Sequence, residues 1–281
     1  MTLHVRRHLR GLIGGGVLAL VLGAALLAPV LAPIDPLRDD LAARLRPPTW
    51  SMQLAAGTLG TDQLGRDVLS RLLHGARISL VVGLGAVVLS ALAGSLVGLL
   101  AGMSRAQVDL LVMRLVDLQM AFPFLVLAIA VMSVLVPSLR NVVIVLALSS
   151  WVVYARLVRA RTLQILTREH VVAARALGCS AARLVGRHIV PNLVPSILIV
   201  AAVQLGQMVV AESSLSYLGL GVQPPTPTWG GMISEGREYI ARAWWIITFP
   251  GLSLVLTVLG ISFLGEWLRD VMDPTLNMGR L

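Results

Sequence analysis

The chain has 281 residues, of which 57% are hydrophobic and only 13% charged, with a mean hydropathy of +0.84. Soluble domains carry about 25% charged residues, so a water-soluble enzyme is excluded and an integral membrane protein is expected. The net charge of +9 comes entirely from arginine, but the arginines sit in short loops between apolar runs, which membrane topology explains without nucleic acid. Cys179 is the single cysteine, so no intrachain disulfide can form, and with no CxxC pair or His/Cys cluster no metal site is expected.

Residues 12–32 are uncharged and long enough to cross a bilayer, with Arg6, Arg7 and Arg10 just before them. A cleaved leader competes with this reading, but its apolar region usually spans only ~7–15 residues, so a retained first span is expected. Residues 35–77 form a long polar segment ending in LGTDQLGRDVLSRLLHGARISL. Asp62, Arg66, Asp67 and Arg71 fall there at helical spacings, which describes a solvated amphipathic helix with ion pairs along one face. Apolar runs follow at 78–104, 115–139, 141–155, 189–211 and 243–265, making six spans in all. The fourth is short for a bilayer and is expected to continue past Arg156, whose side chain can snorkel.

Between the fourth and fifth spans lies EHVVAARALGCSAARLVGRHIVPN, residues 169–192, a basic and Ala-rich insert. Two short helices with a bend are expected: Gly178 tolerates the positive φ that a helix C-terminus often needs, and Pro191 marks the next start. Val185 and Ile189 share one face and Arg183 and Arg187 another. An ordinary basic loop has no need of an alanine pair, whereas Ala173 and Ala174 would let another surface come close. In the last long loop, residues 217–245, Pro224, Pro225 and Pro227 suggest extended polyproline-like chain, and Trp229, Trp244 and Trp245 suit a membrane interface.

With the N-terminus placed inside, 14 arginines fall on the inner side and 9 on the outer, which puts both termini and the 169–192 insert in the cytoplasm. No HExxH, GxSxG or GxxxxGK[ST] pattern occurs, so neither catalysis nor nucleotide binding is expected of this chain. Asp117 and Glu212 are the carboxylates closest to the apolar spans and the candidates for a transport path. Met113, Met120, Met132 and Met208 suit packing better than a metal route.

Four separated motifs carry a resemblance. Residues 169–192 resemble the EAA loop of importer-type ABC permeases, with Ala173 and Ala174 at its Ala-Ala, Gly178 at its Gly and Pro191 at its final Pro. Val172, His188 and Val190 replace the Glu, Ile and Leu of the general consensus. The peptide-permease version, E-Y-V-R-A-A-R-A-L-G with a later R-H-I-L-P-N, is matched better, and only His170, Val172 and Val190 depart from it. The LGTDQLGRDVLSR stretch, ESSLSYLGLGVQPP from Glu212 and the LRDVMDP ending are similar to the C-type subunit of dipeptide and oligopeptide permeases, although Glu266 and Trp267 replace the Asp and Gly usual before that ending.

The resemblance implies an all-α, polytopic membrane protein with six transmembrane helices in the type I ABC importer permease fold. Residues 1–76 would be an N-terminal helix and external segment, and 77–270 the permease domain with its coupling loop at 168–192. ATPase coupling would fall to Glu169, Ala173, Ala174, Leu177, Gly178 and Pro191, and docking of an external partner to Gln223, Pro224, Pro225 and Trp229. Implied partners are a second homologous permease, two ABC ATPase subunits or one heterodimer holding ATP and Mg, an extracytoplasmic substrate-binding protein and lipid, in a bacterial inner membrane. Di- or oligopeptides are the implied cargo, with nickel or glutathione as alternatives. An ATP-independent secondary transporter would want paired broken helices or several buried charges.

Overall fold

Helices dominate because apolar runs of this length must satisfy their own backbone once water is excluded. The computed structural model describes residues 2–49 and 57–272, and every regular element among them is helical. Asp273 and Pro274, which end the LRDVMDP motif, lie outside the described residues.

The first helix, α1 (Thr2–Leu26), gives way to a single turn, α2 (Ala28–Leu31), because Pro29 has no N–H with which to continue the ladder. The helix therefore takes in the three N-terminal arginines, while its apolar span, Leu9–Leu26, stops short of the expected residue 32. It is a packed member of the bundle: Leu18, Val21 and Ala25 are buried with Val209 and Ile261. A Cβ on Gly14 would stand 2.8 Å from the Gly260 carbonyl.

The longest helix, α3 (Val68–Met103), starts where Asp67 accepts the Ser70 N–H at 2.7 Å, an N-cap. At 36 residues it is about 54 Å long, well over the ~30 Å of a hydrocarbon core. The third span, expected unbroken over 115–139, is instead α4 (Ala106–Met120) and α5 (Phe124–Met132), bent by 83°. Pro123 lacks a donor and pushes Phe122 out of helical geometry, so the ladder fails between them. Next, α6 (Leu139–Leu166) does run past Arg156, as its short apolar core required.

After α7 (Glu169–Ala176) and α8 (Ala181–Leu184), a π turn at Val185–Ile189 leads without a break into α9 (Val190–Tyr217). Pro191 thus opens α9 without bending the chain, because the widened turn, with Val190 N–H donating to Val185 O, absorbs its missing donor. A short helix, α10 (Trp229–Gly236), and a last long one, α11 (Trp245–Met272), complete the fold. Five helices are long and apolar enough to cross a membrane, and the bent α4–α5 pair makes a sixth crossing if counted as one.

Helices α3 and α6 form the spine. Gly94, Gly98 and Gly102 repeat every fourth residue, and Cβ atoms on the first two would collide with the Trp151 and Ala155 carbonyls. Such small-residue rows let membrane helices approach until their backbones touch. The spine's two termini define an α7 end, with the apolar cluster Val158, Ile165, Val171, Leu184, Ile189 and Leu193, and an α10 end.

Candidate functional site

At the α7 end the loop is shaped by one turn. Gly178 N–H donates to Arg175 O and Cys179 N–H to Ala174 O, both at 3.0 Å, with Gly178 at φ +81°: a Schellman turn. Nothing lies within 4 Å of where a Cβ on Gly178 would sit, so the backbone conformation alone demands glycine there. Val171 points into the apolar cluster and Ala174 packs against its edge, while Ala173 faces outward. The alanine pair is therefore split, one residue serving the fold and one the surface. Leu177 caps α7 with 89% exposure, and Val172, on the same helix, is also exposed. Glu169 lies exposed in the first turn, where a carboxylate suits the helix dipole, and Pro191 is exposed at the start of α9. Leu177 and Ala173 thus face outward, and Arg168, Arg175 and Arg183 of the same loop are exposed as well.

At the α10 end the expected solvated helix is a buried charge cluster. Gly60 and Gly65, at φ +81° and +76°, turn residues 60–67 into a tight loop. Within it Asp62 accepts the Leu64 and Arg66 N–H groups at 2.8 and 3.0 Å and Arg66 Nε at 2.7 Å. Arg71, from the first turn of α3, bonds both Asp62 and Glu235, the latter at 2.7 and 3.1 Å. Arg66 Nη2 also reaches Glu235 at 2.7 Å, and Gln63 Nε2 does so at 3.1 Å. The side chains of Asp62 and Arg71 are 1% and 2% exposed. Asp67, expected on the same ion-paired face, turns away to cap α3. Burial pushes the Glu235 carboxyl up, but the Arg71 hydrogen bonds and the Arg71 and Arg66 charges outweigh it and hold the group below its ordinary range.

The tryptophans also differ from expectation. Trp229 is 1% exposed and donates Nε1–H to Leu72 O at 3.1 Å, and Trp245 is buried and donates to Thr61 O at 3.0 Å. Each is a pin between elements, so Trp229 offers no docking surface, and Trp244 alone of the three is exposed. Gln223 is exposed, yet its Nε2 donates to Gly219 O at 2.9 Å and Gly221 O at 3.1 Å, strapping the loop. Pro224 and Pro225 occupy an exposed turn, not an extended stretch.

The two path carboxylates lie apart, with separate partners. Glu212 on α9 is fully buried, accepting Ser216 Oγ–H at 2.7 Å and Ser213 Oγ–H at 3.4 Å. Asp117 on α4 is paired with Arg156 of α6, both about half exposed, and toward the α7 end Asp109 is paired with Arg159 through two bonds. Between the pairs opens a cleft of about 380 Å³ lined by Met113, Asp117, Arg156, Arg159 and Ala160. Of the four methionines expected to pack, Met132 and Met208 are buried, whereas Met120 is 47% exposed and Met113 lines the cleft. Among the described residues no group of His, Cys, Asp or Glu could hold a metal. Asp109, Glu235 and the glycine row are absent from the sequence-based expectations. Asp109 and Asp117, two helical turns apart, and the four-residue glycine repeat were the available signals.

An all-helical bundle with several helices long and apolar enough to cross a membrane, one of them a bent pair, has the architecture of a polytopic membrane protein. Comparison with known proteins gives the family. Residues 94–278 match the binding-protein-dependent transport system inner membrane component, and residues 4–48 match the N-terminal TM domain of oligopeptide transport permease C. The chain is 44% identical to the di/tripeptide transport system permease protein of Pseudomonas aeruginosa over 96% of its own length and 89% of that protein. It is 39% identical to the dipeptide transport system permease protein of Escherichia coli, over 97% of its length and 91% of the relative. With the probable D,D-dipeptide transport system permease protein of the same organism it shares 36% identity, over 92% and 85%. The chain belongs to the binding-protein-dependent inner-membrane permeases, and its C-type resemblance holds.

Proposed function

We propose that this chain forms half of the translocation pore of an ATP-driven importer of di- or oligopeptides and couples that pore to cytoplasmic ATPases through α7. Both termini lie in the cytoplasm with the α7 end, and the α10 end meets an extracytoplasmic binding protein through the turn at Pro224 and Pro225. A second, homologous permease completes the pore, and two ATPase subunits, or one heterodimer, hold the ATP and Mg. The carrying observation is the α7 surface: a glycine-closed helix that presents Leu177 and Ala173 outward while Val171 and Ala174 anchor it to the spine. Motion of an ATPase gripping that surface would pass directly into α6 and α9. The peptide cargo is supported by the names of the relatives.

The test uses the complex co-purified with its ATPase and permease partners. Ala173→Glu or Gly178→Val should insert and assemble, yet lose peptide uptake and the stimulation of ATP hydrolysis by loaded binding protein. Normal uptake by either variant would remove the coupling role. Uptake of nickel or glutathione, but no peptide, by the wild-type complex would replace the cargo. Cys179 reports the orientation: an impermeant maleimide outside intact cells should leave it unlabelled.

A further inference from the structure

Resting on the reading of this chain as half of a peptide-import pore, we propose that the cleft between α4 and α6 is a binding site on the translocation path for a small zwitterion. Asp117 takes the ligand's cationic end, Arg156 and Arg159 its anionic end, and Met113 and Ala160 lie under its apolar body.

A charged pair between two apolar runs needs a reason. Asp117 lies near the start of the apolar run 115–139, on the α4 limb of the bent α4–α5 pair, and Arg156 directly follows the apolar run 141–155 on α6. Charges in such segments face protein or water and not hydrocarbon. Their side chains are 53% and 47% exposed, so this chain does not enclose them.

The two ion pairs between α4 and α6 differ in kind. Asp109 engages Arg159 through Nε and Nη2 at both of its oxygens, a closed bidentate fork, with side chains 19% and 31% exposed. Asp117 engages Arg156 through Nη2 and Oδ1 alone. That single bond leaves Oδ2 and the remaining guanidinium donors for a ligand. An exposed pair of this kind adds little net stability, so a zwitterion can exchange into it at little cost. The exchange keeps every charge paired: one internal contact becomes an ammonium on Asp117 and a carboxylate on Arg156. Binding built this way is weak, as a station on a path must be if cargo is to leave it. Met113 gives the site an adaptable floor that tolerates varied side chains, and the cleft volume of about 380 Å³ falls in the small-molecule range.

The competing role is a latch that merely holds α4 to α6. Two experiments on the assembled importer in liposomes separate them. First, Met113→Cys in a Cys179→Ala background is labelled with a maleimide in the presence of millimolar dialanine or of uncharged N-acetyl-dialanine amide. Dialanine should slow labelling at least threefold, the uncharged analogue should not, and Asp117→Asn should abolish the protection. Equal effects of both compounds, or of neither, overturn the site. Second, the charge-swapped variant Asp117→Arg/Arg156→Asp keeps a latch but reverses the walls, so dialanine uptake should fall at least tenfold. Wild-type uptake by the swap overturns the proposal in favour of a latch. A wild-type complex that imports no peptide would instead sink the functional reading, and dialanine protection of the thiol in Met113→Cys would still stand or fall by itself.

Discussion

The two ends of the bundle are turned by the same device and built to opposite purposes. At the α7 end Gly178 closes a Schellman turn in ALGC, and at the far end of α9 Gly219 closes another in YLGL, at φ +77° with Leu220 N–H donating to Leu215 O at 2.9 Å. Beyond the two turns the chain is held differently. After Gly219 it is strapped by Gln223, pinned by Trp229 and Trp245, and locked by charges that bridge residues 62, 66, 71 and 235. After Gly178 one apolar cluster holds the loop from beneath, and its outer face has no internal partner for Leu177. The α10 end is tied across its elements by polar bonds, whereas the α7 end is tied from one side and leaves its outer face exposed.

The same substitution placed at each end should break the comparison if it is wrong. Arg71→Met leaves Asp62 and Glu235 with Arg66 as their remaining cationic partner, and removing one member of a buried pair costs about 3–5 kcal/mol. Arg175→Met, on exposed α7 surface, should move stability by less than about 0.5 kcal/mol. Thermal unfolding of the purified complex in detergent reads both, and similar shifts would mean that the ends are equally rigid. Next in size is Gly98→Ala, which tests whether both ends hang from one spine. Its Cβ meets the Ala155 carbonyl, and forcing the helices apart should cost about 1–3 kcal/mol. It should also loosen both ends together, seen as faster amide exchange in α7 and α10 alike.

How much of this was legible depends on how local each feature is. The apolar runs, the fourth span's overrun past Arg156 and the glycine turn at 178 follow from composition and backbone chemistry within a few residues. The break at Phe122–Pro123 was also local, yet hydropathy runs straight through it, because apolar content does not register a missing N–H. Helical spacing of Asp62, Arg66 and Arg71 suggested a wet face, and the true arrangement depended on Glu235, 164 residues from Arg71, to which no periodicity points. Trp229 misled for a related reason: its indole fits an interface, and only the Leu72 carbonyl across the fold shows that it is buried. Glu212 and Asp117 looked alike as charges near apolar runs, and the structure separates them into a sealed group and an open one.

Acid should erode the α10 end selectively. The Glu235 carboxyl is held below its ordinary value of 4.5, so its stabilising effect is fully present above that value and is lost as pH falls through the lower value of the folded state. Glu235→Gln should therefore melt well below wild type at pH 7, with the difference narrowing once pH drops beneath about 4.5. A difference that stays constant from pH 7 to 4 would show that the carboxylate charge contributes nothing to the cluster.

The smallest stability effect carries the sharpest functional contrast. Leu177→Ala removes an exposed side chain that touches little of its own fold, so unfolding should shift by less than about 0.5 kcal/mol. If the α7 end is shaped to be held, that substitution should nonetheless weaken co-purification of the ATPase subunits and lower uptake severalfold. Pro224→Ala, on the exposed turn at the opposite end, should leave ATPase retention unchanged. Retention of the ATPases at wild-type level by Leu177→Ala would mean that the exposed leucine is incidental, and the contact would have to lie on the arginines around it.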